Sequence, residues 1–314
     1  ALKVPSTKKI LILGASGQLG SDLQSQLSSH KSRITFVRKS KWGKEFTNSK
    51  NRHFVSIDLL KISQIKLNSL VSDADIIFHL AANTNVQVKS KNERNFLIDQ
   101  IDLLKKILVL LINKKTKLIF SSSCSVYGLK HNKTINDQSI SDPHTSYDLL
   151  KTCSDQIIDY YKKIYDVDCC SLRFSNIYGP DTLLHNSKNR RILNKFIEQM
   201  KKNQRVAVVE NGKFYRNYLH VTDAVRMLIC LSKQKQFNQS IYIGCSTQNI
   251  FFIDAVKLLA QKYEHKFKKS VVIDRNFPST FVTDARSFKL APSKIFLQGF
   301  KYKYNIETGF ANLI

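Results

Sequence analysis

Nowhere in these 314 residues does an apolar run approach the ~20 residues that a membrane-spanning helix requires. The longest, Ile107 to Ile112, is hemmed in by Lys105, Lys106, Lys114 and Lys115. Cysteine chemistry is equally thin. The six cysteines (Cys124, Cys153, Cys169, Cys170, Cys230 and Cys245) form no Cys-x-x-Cys and share no zinc spacing with histidine. Scattered thiols of this kind fit a reducing compartment and give no support to a metal role. The opening Ala-Leu-Lys-Val-Pro-Ser has none of the apolar core of a secretion signal, so a soluble cytoplasmic protein is expected. Repeats, low-complexity tracts and long linkers are also missing.

Acidic charge is scarce: 24 Asp and Glu stand against 50 Lys and Arg, for a net charge of +26. Such an excess suits nucleic-acid binding. Here, however, the lysines spread through every segment and form no tail and no nucleic-acid motif. The expectation is a generally basic surface without a nucleic-acid partner, one that helps to gather an anionic substrate. A hydrophobic fraction of 42% with 10% aromatics provides for a sizeable core and excludes a disordered chain.

What is present is an alternation of strand-like and helix-like segments. Strands are expected at 10–13, 33–38, 54–57, 75–80, 117–122 and 169–174, with helices at 18–29, 61–71, 93–113 and 145–165. Strands separated by helices require crossover connections, so the fold class is α/β with a Rossmann-type, doubly wound parallel sheet. After Gly179-Pro180 the rhythm changes. Helices are expected at 189–202, 221–232 and 249–263, strands at 206–209, 240–244 and 269–273, and a turn at Asn211-Gly212. Residues 1–175 are thus expected to form a dinucleotide-binding domain to which about 215–245 returns. Residues 176–314 mainly form a smaller mixed α/β substrate-binding cap.

Gly14-Ala-Ser16-Gly17-Gln18-Leu19-Gly20 joins the first strand to the first helix. Glycines there permit a tight turn and let the backbone approach a pyrophosphate at the helix N-terminus. At the end of the second strand, where an NAD-binding chain carries Asp or Glu, stand Arg38 and Lys39. A cation at that place suits the 2′-phosphate of NADP, so NADP(H) is expected ahead of NAD(H). Asp58, followed by Leu59, closes the third strand and is a candidate partner of the adenine amino group.

Tyr147 and Lys151 lie four apart and share one helical face. An ammonium there lowers a tyrosine pKa from about 10 toward working pH, and a tuned phenol beside a nicotinamide is equipment for carbonyl–alcohol redox chemistry.

Several further motifs occur in order: His79-Leu80-Ala81-Ala82, Phe120-Ser-Ser-Ser123-Cys-Ser-Val-Tyr-Gly128, Leu172-Arg-Phe-Ser-Asn176-Ile-Tyr-Gly-Pro180 and Arg216-Asn-Tyr-Leu-His-Val-Thr-Asp223. With the glycine loop and Tyr147-x-x-x-Lys151, the chain resembles the extended short-chain dehydrogenase/reductase family of nucleotide-sugar epimerases, dehydratases and ketoreductases. The resemblance implies that Ser123 orients the substrate oxygen beside Tyr147, and that Lys151 also holds the nicotinamide ribose. It further implies that Leu80, Ala81 and Ala82 pass close to the cofactor, and that Asn176, Arg216 and Arg275 face the diphosphate of a nucleotide-sugar substrate. His79 is expected to be buried and hydrogen-bonded. Pairing of two copies through helices 93–113 and 145–165 is a further family expectation, a possible homodimer.

Three departures bear on the reaction. Family dehydratases carry Asp-Glu directly after the catalytic hydroxyl, where this chain has Cys124 and Ser125, which argues against 4,6-dehydration. Asn217 stands where relatives have Asp in Arg-Asp-Phe/Tyr, and Asp99-Gln-Ile-Asp-Leu-Leu104 replaces Asn-x-x-Gly-Thr. The expected activity is 4-keto reduction of a nucleotide sugar by NADPH with Tyr147 as proton donor, the alternative being C4 epimerisation with tightly bound NAD. A non-catalytic dinucleotide-sensing or nucleic-acid-binding member is the remote alternative; the intact Ser123, Tyr147 and Lys151 argue against the sensor, and only the charge suggests the nucleic-acid binder.

Overall fold

Strands with apolar residues on both faces need helices on both sides, and the first half of the chain supplies them in turn. The computed structural model describes residues 8–82, 90–129, 133–180, 192–208, 212–274 and 286–314. Strands β1 (Lys9–Leu13), β2 (Arg33–Arg38), β3 (Arg52–Ser56), β4 (Ile76–His79), β5 (Lys117–Ser123) and β6 (Cys169–Phe174) alternate with helices α1 (Gln18–Gln26), α2 (Gln64–Ser72), α3 (Ser90–Leu111) and α4 (Ser146–Tyr165). The remainder contributes β7 (Asn176–Tyr178), α5 (Ile192–Asn203), β8 (Arg205–Ala207), β9 (Tyr215–His220), α6 (Val221–Ser232) and β10 (Ile241–Gly244). Beyond them lie β11 (Asn249–Phe251), α7 (Phe252–Phe267), β12 (Val272–Asp274), α8 (Lys294–Leu297) and α9 (Ile306–Leu313).

Seven strands form one sheet in the order β10-β6-β5-β4-β1-β2-β3, with every neighbouring pair parallel. Its two faces follow the period of two along each strand. Ile10, Ile12, Phe36 and Phe78 pack with Leu23 of α1 and Val225 and Leu228 of α6. Leu11, Leu13, Ile77 and Leu118 pack on the other face with Leu104, Ile107, Leu108 and Leu111 of α3 and Ile158 of α4. Each such fully buried Leu or Ile contributes about 1.5–3 kcal/mol relative to exposure. The apolar stretch of α3 is therefore a core element, and no helix among the described residues is long and apolar enough to cross a membrane.

The cap holds a separate apolar cluster, with Phe196, Met200, Phe214, Phe252, Leu259 and Phe310 at its centre. A small sheet, β11-β9-β7, joins it to the larger one, because β7 follows β6 after one residue. Several boundaries differ from expectation. The first helix ends at Gln26, short of residue 29. The helix expected from 249 starts at Phe252, since Asn249–Phe251 pairs antiparallel with β9. β8 pairs in parallel with β12 and does not fold back across Asn211-Gly212, of which Asn211 lies outside the described residues.

Candidate active site

The sheet order reverses between β1 and β4, so the carboxyl ends of these strands open a crevice in which doubly wound folds hold ligands. Gly14 adopts φ +89°, and a Cβ there would lie 2.5 Å from the Ala81 nitrogen. A Cβ on Gly20 would lie 2.4 Å from the Gly14 carbonyl oxygen. Both glycines are thus demanded by the protein's own packing, and Gly14 lets Leu80 and Ala81 lie against the loop. Gly17 differs. It is exposed at the N-cap of α1, and an added Cβ would meet only the Gly14 oxygen at 3.5 Å. Its lack of a side chain leaves room at a helix N-terminus, where backbone N–H groups face an anion. Ser16, Gln18 and Leu19 are half-buried beside it, and Gln18 Nε2 points to the Gly179 carbonyl at 3.5 Å.

The two basic residues at the end of β2 are engaged within the protein. Arg38 donates from Nε to the Ser40 carbonyl at 3.0 Å and from Nη2 to the Lys41 carbonyl, and its guanidinium lies 4.5 Å from the Trp42 ring centre. Lys39 pairs with Asp58 at 2.8 Å. Asp58 also accepts from the Leu60 N–H, capping a short 3-10 turn that begins at the buried Leu59. The Lys39 hydrogen bond is the largest cause holding the Asp58 carboxyl below the usual range.

At the end of β5, Ser123 accepts from the Ser125 N–H at 3.1 Å and donates to Ser125 Oγ at 2.9 Å. Cys124 is 3% exposed, and its thiol reaches the Arg173 carbonyl at 3.3 Å. Burial pushes that thiol far above its ordinary pKa. Helix α4 starts at a capping box in which Thr145 and Asp148 satisfy each other's N–H groups. Two residues into the helix comes the half-buried Tyr147. Lys151 follows one turn on and is 2% exposed. Its Nζ donates to the Ser121 carbonyl at 2.7 Å, and lies 4.4 Å from the Phe120 ring centre and 5.7 Å from that of Tyr147. Burial lowers the lysine pKa to about 8, opposed by the charge of Asp155. His79, at the end of β4, is buried with its ring edge-on to Phe120. Contrary to expectation, neither ring nitrogen has a hydrogen-bond partner among the described residues. Its pKa falls to about 3, first through burial and then through the Lys151 charge.

Between the sheet and the cap an open cleft is lined by Ser123, Ser125, Asn176, Arg216 and Arg286, among others. Asn176 Nδ2 donates to the Asn217 carbonyl at 3.2 Å. Arg216 donates to the carbonyls of Tyr215 and Arg286 and lies over the Phe214 ring. The structure thus gathers Ser123, Asn176 and Arg216 around one space. Arg275 lies outside the described residues.

Three polar residues escaped the sequence reading. Asp148 is fully buried and accepts from Thr145 N and from Arg286 Nη2, at 3.0 and 2.7 Å. Arg286 heads a strap, residues 286–291, that touches both halves: Ser287 Oγ accepts from Tyr215 N, and Ile135 N donates to the Lys289 carbonyl. Asp155 accepts from Ser122 Oγ at 3.0 Å and from Arg173 Nε at 2.7 Å. Its signal was available, for Asp155 lies one turn beyond Lys151 on the same helical face. Asn217, noticed only as a departure, is a buried hub. Its amide nitrogen reaches the Ser246 and Gln248 carbonyls and Asn249 Oδ1, and its oxygen accepts from Ser246 N.

Comparison with known proteins agrees with this layout. A model of the NAD dependent epimerase/dehydratase family matches residues 10–244. A UDP-N-acetyl-alpha-D-glucosaminuronate decarboxylase of Bacillus cytotoxicus is 28% identical over 250 residues, covering 76% of this chain and 75% of that protein. Among solved structures, a UDP-glucose 4-epimerase of Thermotoga maritima with UDP-glucose superposes with a TM-score of 0.79 at 21% identity, covering 97% of this chain and 96% of that one. A dTDP-glucose 4,6-dehydratase of Bacillus anthracis in complex with NAD also gives 0.79, at 18% identity and with 98% and 95% covered. An epimerase and a dehydratase thus share this fold.

Proposed function

The chain belongs to the NAD-dependent epimerase/dehydratase family, and within it we propose that Tyr147 carries out proton transfer in C4 epimerisation of a nucleotide-activated sugar, with NAD(H) kept in its site. The carrying observation is the chemical make-up of the site. A phenol stands over a buried lysine, while the described residues lining the cleft include no carboxylate. Elimination of water needs an acid and a base at neighbouring carbons. Cys124 is a buried thiol bound to a carbonyl, and Ser125 is bound to Ser123. Dehydratases among the structural relatives carry the same fold, so the side chains, not the fold, support chemistry confined to one carbon.

The loop from Gly14 to Gly20, with Ser16, Gln18 and Leu19, would hold the dinucleotide pyrophosphate at the start of α1, and the open face of Gly17 fits that group. Leu59, Leu80, Ala81 and Ala82 would flank the rest of it, with Asp58 near the adenine. When bound, the nicotinamide supplies hydride acceptance and return at the sugar carbon. Tyr147 Oη takes the proton of the C4 hydroxyl and gives it back, and Ser123 Oγ orients that oxygen. The Lys151 ammonium stabilises the phenolate. Asn176 and Arg216, joined by Arg275, take the diphosphate; a guanidinium suits phosphate oxygens in pairs. Residues 1–175 with 215–245 thus serve the dinucleotide, and 176–314 mainly the sugar nucleotide.

Arg38 and Lys39 both have partners within this chain at the surface, which supports NAD(H) over the NADP(H) suggested by the sequence. Reduction of a 4-keto sugar by NADPH is the second reading. The position of Arg38 at the carboxyl end of β2 favours it, and it requires the guanidinium to leave the Ser40 and Lys41 carbonyls.

Denaturing the purified protein and identifying the released nicotinamide nucleotide tests the choice. Near-stoichiometric NAD(H) is expected, while an empty site or NADP(H) overturns epimerisation in favour of the reductase. Tyr147→Phe is expected to keep the nucleotide and lose at least about 100-fold in turnover; near-normal turnover removes Tyr147 from the mechanism.

Exposed Ile98 and Val109 on α3 with Tyr160 and Ile164 on α4 support pairing of two copies. Sedimentation as a monomer at micromolar concentration would count against it.

A further inference from the structure

We infer that Asp155 is a positioning residue of this site, which through Lys151 keeps the ammonium charged beneath Tyr147. The inference rests on the proposed role of Tyr147 and Lys151 and adds a third member to their helical face. Tyr147, Lys151 and Asp155 fall at successive turns of α4, and the last two are 2% and 1% exposed. A buried ammonium is unfavourable unless an opposite charge stands close by. The Lys151 Nζ donates to a neutral carbonyl at 2.7 Å and meets an aromatic face at 4.4 Å. Neither carries a full negative charge.

The ionisable groups at Lys151 and at the Asp155 carboxylate come from the elements that meet there. Tyr147 and Asp155 share its helix, His79 ends β4, Arg173 lies on β6, and Cys124 and Tyr127 follow β5. His79 and Arg173 are of the wrong sign or neutral. Cys124 and Tyr127 are held protonated by burial. Asp155 is therefore the one fixed anion of that set, and its charge opposes the fall that burial imposes on Lys151.

Asp155 is itself held in place. Ser122 Oγ and Arg173 Nε converge on its Oδ2 at 3.0 and 2.7 Å, so β5, β6 and α4 meet at this carboxylate. Its position one turn from Lys151 is thus fixed by two sheet strands, not left to helix fraying. Ser122 adjoins both Ser121, which receives the lysine, and Ser123, which lines the cleft. The serine run of β5 consequently addresses three groups: lysine, aspartate and substrate space.

The test is the pH profile of turnover in Asp155→Asn and Asp155→Glu, with retained nucleotide and thermal unfolding measured beside it. Removing the charge is expected to shift the alkaline limb downward by about one pH unit, with turnover about tenfold lower on that side. Asp155→Glu, which keeps the charge, is expected to restore the wild-type limb. An unmoved limb in folded Asp155→Asn overturns the inference, as does a limb displaced equally in both variants. Should Asp155→Asn not fold, the double variant Asp155→Asn, Arg173→Gln removes the stranded guanidinium and is expected to shift the limb downward by less, because an opposing cation is lost with the carboxylate; a limb moved upward there overturns the inference too. Tyr147→Phe separates the two levels. If it retains turnover, the reading of the site fails. If it is inactive while Asp155→Asn keeps the wild-type profile, only the role of Asp155 fails.

Discussion

Arg286 Nη2 lies 2.7 Å from Asp148 Oδ2, an ion pair 8% and 0% exposed that fastens the strap beside the cap to the turn presenting Tyr147. The partners are 138 positions apart in sequence. Breaking such a pair strands a buried charge, which costs about 3–5 kcal/mol. Arg286→Ala is expected to lower the denaturant midpoint accordingly, and a paired Asp148→Asn, Arg286→Gln to recover part of the loss. A midpoint unchanged in Arg286→Ala would show that water reaches Asp148.

His79 gives the protein an acid-sensitive site. An unfolded histidine gains its proton near pH 6.5, whereas the buried ring resists protonation down to about 3. Stability is therefore lost as pH falls through that window, because the unfolded chain binds the extra proton. His79→Phe keeps the ring and removes the titration. It is expected to be more stable than the parent at pH 5 by about 2 kcal/mol beyond any difference at pH 7. A difference independent of pH would contradict this account.

The three glycines of the first loop should separate folding from binding. Gly14→Ala and Gly20→Ala force a Cβ to within 2.5 and 2.4 Å of backbone atoms, so each is expected to cost at least about 2 kcal/mol. Gly17→Ala meets nothing closer than 3.5 Å and is expected to change unfolding by less than about 0.5 kcal/mol while reducing retained dinucleotide. Equal retention in Gly17→Ala and the parent would exclude close approach of a pyrophosphate at that residue.

Asn217→Asp, the residue the family resemblance implies at this position, is expected to harm this protein. The amide nitrogen faces three oxygens, which a carboxylate can only repel. A loss of about 3 kcal/mol or more in denaturant unfolding is expected. A neutral outcome would mean that the 246–249 loop rearranges at little cost.

The central sheet was legible because its strands are short, apolar on both faces and separated by helices whose periods differ from theirs. The glycine loop and the Tyr147–Lys151 pair were legible because their chemistry lies within a few residues. β7, β9 and β11 were not, since Asn176–Tyr178 and Asn249–Phe251 are three-residue strands defined by pairing with β9 far along the chain. The same pairing displaced the expected start of α7. Arg38 shows a different limit. Its position in the sequence suggested a phosphate partner, but its direction depends on the carbonyls of the following loop and on Trp42. Asp148 and Asp155 drew no notice in the sequence because their partners, Arg286 and Arg173, lie 138 and 18 positions away.

The edge strand β10 reaches back to pair with β6, the strand that ends at Phe174. During synthesis, β6 accordingly emerges with one row of backbone groups unsatisfied and must wait for Ile241 before that row is covered. At about 5–20 residues per second the wait lasts several seconds. Throughout it the nascent sheet carries an open flank of six residues that are buried in the finished fold, Cys169–Phe174, a ready template for pairing with another chain.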